Sequence, residues 1–248
     1  MSADAHGAAS IAKDRLIVAM DVPSAAAARE LAAQLRGTCR WLKVGLELYL
    51  AAGAAMVEEL TAQGFSVFLD LKFHDIPNTV AGAVRSAASM GASLLTVHAA
   101  GGPAMLRAAA EAAATTTNAP QLLAVTVLTS MDKEQLAAIG IETTAADQVL
   151  RLARMAIDSE IRGLVCSPEE VAVLRRGLGA EPRLVVPGIR PAGAAVGDQK
   201  RVATPADAIR AGASQLVVGR PITQAPDPAK AAQAILDEIT SITTAIQG

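Results

Sequence analysis

Short apolar runs punctuate the chain at near-regular intervals: Leu16 to Met20, Trp41 to Leu46, Val67 to Leu71, Leu94 to Val97, Leu122 to Leu128, Gly163 to Cys166, Leu184 to Val186 and Gln215 to Val218. Most are rich in β-branched residues and continuous rather than alternating, the pattern of parallel strands covered on both faces. Alanine-rich stretches with helical spacing separate them, including Ser24 to Leu35, Ala54 to Ala62, Val80 to Met90, Ala104 to Ala114 and Ala146 to Asp158. Spread over 248 residues, eight strands leave about 31 residues per unit, enough for a strand, a crossover helix and two short loops. Gly37, Gly64, Gly91, Gly140 and Gly212 fall where helical pieces end, as C-terminal caps do. Of the prolines, only Pro168 reads as an early helical residue.

The pattern predicts an α/β protein, a single (β/α)8 TIM barrel spanning residues 15–248 behind a flexible N-terminal tail, 1–14. The irregular stretch from Ser130 to Ala145 reads as an insert with its own short helix after the fifth strand. An open doubly wound sheet is the alternative. It would normally carry a glycine-rich dinucleotide turn after strand one, where this chain has Asp21-Val22-Pro23-Ser24.

Composition narrows the function classes. With 52% hydrophobic residues the chain has ample apolar surface to fold. A net charge of −2 and five aromatic residues offer neither a basic footprint nor a stacking platform for nucleic acid. No window of ~18 uninterrupted apolar residues suggests a membrane span. Cys39 and Cys166 lie far apart and no secretion signal opens the sequence, so both read as reduced, buried thiols of a cytoplasmic protein.

In such a barrel the chemistry sits at the carboxyl ends of the strands. Strand one ends in Asp21, strand two carries Lys43, and strand three ends Asp70-Leu71-Lys72-Phe73-His74-Asp75. Alternation places Asp70 and Lys72 on one side of the strand, about 6–7 Å apart. Lys43 reaches the same region and Asp75 opens the following loop, giving an alternating Lys-Asp-Lys array. Burying such ions costs several kcal/mol each before pairing, which a purely structural strand end would avoid by being apolar. A paired, partly desolvated lysine also suits general-acid work. A second polar cluster follows strands seven and eight: Pro187-Gly188-Ile189-Arg190, Gly197-Asp198-Gln199-Lys200-Arg201 and Val218-Gly219-Arg220-Pro221. Barrel enzymes often hold a phosphate there, with glycine N–H groups and a cation. His74 and His98 read as structural, and no His or acidic cluster has metal-ligand spacing, so neither metal nor cofactor is expected.

These segments resemble the orotidine 5′-phosphate decarboxylase family of the bacterial type. Asp21-Val-Pro, Lys43-Val-Gly, the run Asp70-Leu-Lys-Phe-His-Asp-Ile-Pro-Asn-Thr79, Leu128-Thr-Ser, Pro187-Gly-Ile-Arg-Pro, Gly197-Asp-Gln and Val218-Gly-Arg-Pro carry the likeness from residue 21 to 221. The resemblance implies decarboxylation of orotidine 5′-phosphate to UMP, with Lys72 as proton donor to C6, Asp70 beside the departing carboxylate, and Lys43 and Asp75 completing the charge network. It further implies that Asp21 meets the ribose hydroxyls, that Thr129 and Ser130 meet the pyrimidine edge, and that Arg190, Gln199, Gly219 and Arg220 hold the phosphate. Asp75 and Thr79 would enter the partner's site in a homodimer. Asp-x-Lys-x-x-Asp alone is shared with Mg-dependent sugar-phosphate lyases and decarboxylases, which remain an alternative, as does a non-catalytic phosphate-binding barrel.

Overall fold

Each apolar run becomes a strand because both of its faces are covered, by helices outside and by the opposite barrel wall inside. A computed structural model describes residues 2–191 and 202–247. The chain runs α1 (Ser2–Arg15), β1 (Leu16–Ala19), α2 (Ala25–Leu35), β2 (Trp41–Gly45), α3 (Leu46–Ala62), β3 (Ser66–Phe73), α4 (Pro77–Ser89), β4 (Ala92–His98), α5 (Gly102–Ala114) and β5 (Gln121–Val125). It continues through α6 (Lys133–Ala138), α7 (Ala145–Asp158), β6 (Gly163–Val165), α8 (Val171–Leu178), β7 (Arg183–Val186), α9 (Pro205–Ala211), β8 (Gln215–Val218), α10 (Arg220–Thr223) and α11 (Pro228–Gln247). Among the described residues, the eight strands pair in sequence order, all parallel, and β8 closes on β1.

The barrel interior is plugged by Ile17, Ala19, Trp41, Phe68, Leu94, Leu123, Val185 and Val217, with Val165 against them. A larger apolar layer, including Leu42, Val44, Leu69, Leu95 and Leu184, lies between strands and helices. This inside-outside division follows from the two-residue period of each strand. It also means that the inward rows of β1, β2 and β3, continued past the plug, arrive at Asp21, Lys43 and Asp70.

Three local expectations change. The stretch to Asp14, expected as a loose tail, is part of helix α1. Its last turn is tied down: Ala12 is buried in the core, Lys13 donates to the Gly37 carbonyl at 2.6 Å, and Asp14 pairs with Arg40 at 2.7 Å. Helix α3 begins at Leu46 rather than Ala54, its two parts joined across a kink at Gly53, where φ is +69°. Proline also occupies early helical positions in α4, α5, α9 and α10, not only at Pro168. The insert does carry its short helix, α6, closed by a reciprocal cap between Asp132 and Gln135.

Candidate active site

A cavity of about 420 Å³ opens at the carboxyl ends of the strands, and its wall includes Asp21, Lys43, Asp70, Lys72, Thr129, Arg190, Gly219 and Arg220. Its floor is the top of the apolar plug, through Ala19, Phe68 and Val217.

The charged residues form a continuous row. Asp21 Oδ1 lies 3.0 Å from Lys43 Nζ, which lies 3.5 Å from Asp70 Oδ2, and Asp70 Oδ1 lies 2.9 Å from Lys72 Nζ. Exposure rises toward the two ends: 11% for the Lys43 side chain and 13% for Asp70, against 34% for Lys72 and 57% for Asp21. Burial alone would lower the Lys43 ammonium's pKa, but Asp70 and Asp21 outweigh it and hold the group above the ordinary lysine value. Burial alone would likewise raise Asp70. Lys43 and Lys72, with hydrogen bonds from Lys72 and Thr96, hold it below the usual carboxylate value. The interior charges therefore stay ionised because each supplies the other's counter-charge. Gly45 makes room for the row: a Cβ there would lie 2.8 Å from Lys43 Nζ and 3.2 Å from Asp21 Oδ1.

Lys72 does not simply continue the strand. Leu69 pairs with Leu95 and Phe73 with Val97, so Asp70, Leu71 and Lys72 stand opposite the single residue Thr96. This bulge puts Lys72 at φ +52°, a left-handed conformation that costs a non-glycine residue on the order of 1–3 kcal/mol. The Lys72 N–H donates to Thr96 Oγ1 at 2.9 Å, and the Thr96 hydroxyl donates to Asp70 Oδ1 at 3.1 Å.

Arg190 and Arg220 also line the cavity, and burial, with the charge of Arg220, holds Arg190 below the ordinary arginine value. Guanidinium groups beside glycine turns are chemically suited to a phosphate-sized anion. Arg220 opens α10, and Thr223 and Gln224 at its end also line the cavity.

Sequence-predicted residues distribute unevenly. Asp21, Lys43, Asp70, Lys72, Thr129, Arg190, Gly219 and Arg220 meet at one cavity, whereas Ser130 is exposed in the adjoining turn and does not line it. Asp75 and Thr79 are exposed outside the cavity; Asp75 Oδ1 accepts the Ile76 N–H at 2.6 Å. Gln199 lies outside the described residues. His74 and His98 stack with ring centroids 5.2 Å apart, and His98 Nδ1 accepts the Ala100 N–H. Both cysteines are buried, and burial pushes the Cys39 thiol up to about 12. Among the described residues no group of three or more His, Cys, Asp or Glu is arranged to hold a metal ion. Sequence reading missed Thr96, Gly45, Thr223 and Gln224. Thr96 sits in an apolar strand without any motif, and only the register of β3 against β4 reveals it.

The family model described as Orotidine 5′-phosphate decarboxylase / HUMPS family matches residues 14–235. A relative named orotidine 5′-phosphate decarboxylase from Halorhodospira halophila is 56% identical over 227 residues, covering 92% of this chain and 96% of the relative. One of the same name from Moorella thermoacetica is 52% identical over 237 residues, covering 93% and 94%. The crystal structure of orotidine 5′-phosphate decarboxylase from Lactobacillus acidophilus superposes with a TM-score of 0.81 at 40% identity, covering 91% of this chain and 99% of that one.

Proposed function

Because the chain belongs to the orotidine 5′-phosphate decarboxylase / HUMPS family, we propose that it decarboxylates orotidine 5′-phosphate to UMP, with Lys72 delivering the proton to C6. The observation that carries this reading is the row Asp21–Lys43–Asp70–Lys72 on one side of a cavity that also reaches Arg190 and Arg220. A nucleotide phosphate held by the arginines sets the pyrimidine against the charged row.

Breaking the C6–carboxylate bond leaves the electron pair on C6 in an sp² orbital that the ring does not delocalise as an enolate would. A cation fixed beside that carbon stabilises the developing charge without reorganising at the moment of reaction. The Lys72 ammonium supplies that cation, then its proton: the new C6–H bond takes a proton from Nζ, CO2 departs, and the neutral amine is reprotonated from solvent. Asp70 stands where the departing carboxylate would lie. Two unit charges 4 Å apart repel by about 4 kcal/mol at an effective dielectric of ~20. That is a fraction of the ~8–23 kcal/mol by which enzymes lower barriers, so stabilisation of the carbanion-like transition state dominates. Phosphate binding contributes to alignment and loop closure as well as to affinity.

The same proposal includes a cytoplasmic homodimer in which Asp75 and Thr79 serve the partner's site. Exposure of the segment from Asp75 to Thr79, together with exposed Leu46, Leu50 and Ile76 at the same end of the barrel, supports it.

The deciding experiment is a spectrophotometric assay with orotidine 5′-phosphate, with and without EDTA. Loss of orotate absorbance unaffected by chelator supports the proposal. Activity abolished by EDTA and restored by Mg²⁺ would favour the sugar-phosphate lyase chemistry, and UMP binding without turnover would favour a binding protein.

A further inference from the structure

Thr96 is fully buried and does not line the cavity, yet both residues of the proposed chemistry on β3 are hydrogen-bonded to it, Lys72 through its backbone N–H and Asp70 through its carboxylate. Between the Leu69–Leu95 and Phe73–Val97 partners, β3 advances four residues while β4 advances two. The strand therefore bulges at Asp70 to Lys72, and the one residue facing the bulge is Thr96. The Lys72 N–H is deprived of its ordinary ladder acceptor and takes the Thr96 hydroxyl oxygen instead. A hydroxyl has one proton, and here it points to Asp70 Oδ1. On its other side Thr96 is held in register with Leu123 of β5, so the anchor itself is rigid.

We infer that Thr96 is a positioning residue of the decarboxylation: its hydroxyl holds the bulge in the one arrangement that keeps the Lys72 ammonium and the Asp70 carboxylate in contact at the cavity wall. The inference rests on the function proposed above. Its physical basis is that one group accepts from the backbone of the proton donor and donates to the carboxylate beside it. A threonine at this position is thus a polar side chain placed where packing alone would select valine, an isostere that offers neither bond. Without the hydroxyl the left-handed Lys72 backbone loses its restraint, and among the described residues Asp70 keeps the Lys43 and Lys72 ammonium groups as partners. The consequence falls on geometry at the reacting carbon, not on the grip of Arg190 and Arg220 on the phosphate.

The test compares Thr96→Val, Thr96→Ser and Thr96→Ala with the parent protein, measuring kcat and KM for orotidine 5′-phosphate, UMP affinity by calorimetry, and thermal unfolding. Displacing a reacting group by about 1 Å costs up to roughly 100-fold in rate, so Thr96→Val should lose about 10- to 100-fold in kcat. KM and UMP affinity should stay within about threefold of the parent, and Thr96→Ser should recover most of the lost rate. A Thr96→Val protein that folds and keeps kcat within threefold overturns the inference, as does a Thr96→Ser protein as impaired as the valine form, which would point to methyl packing. If the valine form does not fold, the serine and alanine forms decide: equal rates in the two contradict a role for the hydroxyl. A parent protein without turnover would instead remove the functional proposal itself, which keeps the two failures apart.

Discussion

At the residue scale, Asp70 and Lys43 stay charged in the barrel wall only through each other and their neighbours, and that coupling has a pH signature. The Asp70 pKa is depressed in the folded protein, so its contribution to stability is present above the unfolded carboxylate value near ~3.9 and is lost as pH falls through the folded value. The Lys43 pKa is raised, so its contribution is complete below the unfolded lysine value near ~10.4 and is lost as pH rises through the folded one. Urea unfolding of the parent and Asp70→Asn proteins from about pH 2 to 7 should show a difference at neutrality that shrinks in acid; a constant difference would contradict the pairing. Gly45 gives a second residue-scale prediction. Gly45→Ala places a methyl carbon against Lys43 Nζ and Asp21, and should lower kcat/KM about tenfold or more with little change in the far-ultraviolet circular dichroism spectrum. Asp21, Lys43, Asp70 and Lys72 were legible in the sequence because charge in an apolar strand is conspicuous. Gly45 was quoted only as part of a motif, since nothing in a sequence shows which side chain a missing Cβ would meet.

Elements behave in the same way: the existence of the eight strands was legible, their irregularities were not. Eight apolar runs announced eight strands, and the period-2 rule placed Asp70 and Lys72 on one side. It could not foresee that β3 reaches that result through a bulge and a left-handed lysine. Helix α1 was missed because its sequence lacks an apolar face, and what ties its last turn down, the bonds of Lys13 and Asp14, is non-local. Arg175 on α8 is another such non-local device. Its guanidinium donates to the carbonyls of Gly212, Gly179, Ala180 and Pro182 and to Ser214 Oγ, and Ser214 Oγ in turn accepts the Leu184 N–H. Replacing Arg175 by Met should therefore cost about 2–3 kcal/mol of stability while leaving KM for the nucleotide unchanged. Gly212, the left-handed cap of α9 at φ +106°, is held beside the same side chain. Chemical denaturation with parallel activity assays checks Arg175→Met; a large loss of specific activity in the folded protein would show that this network reaches the cavity.

For the whole molecule, the closed barrel and the position of its cavity were legible, because parallel strands in sequence order converge their carboxyl ends on one mouth. The second polar cluster was legible as far as its place: Arg190, Gly219 and Arg220 all line the cavity, and their hold on a phosphate is part of the proposal. Gln199, in the segment outside the described residues, stays a proposal. A shared site in a homodimer makes a sharp prediction. Inactive Lys72→Ala and inactive Asp75→Asn proteins, mixed under conditions that exchange subunits, should regain activity, because each hybrid dimer has one site with both residues intact. At full exchange the recovery approaches about a quarter of the parent's activity: half the dimers are hybrids, each with one working site of two. No recovery after verified exchange would contradict the shared arrangement.

The most direct measurement is a crystal structure with UMP in the cavity, read at the distance from Lys72 Nζ to C6 of the pyrimidine. The expected result is contact at about 3–3.5 Å, with the phosphate between Arg190 and Arg220. A nucleotide seated with C6 well out of reach of that nitrogen would contradict the proposed chemistry.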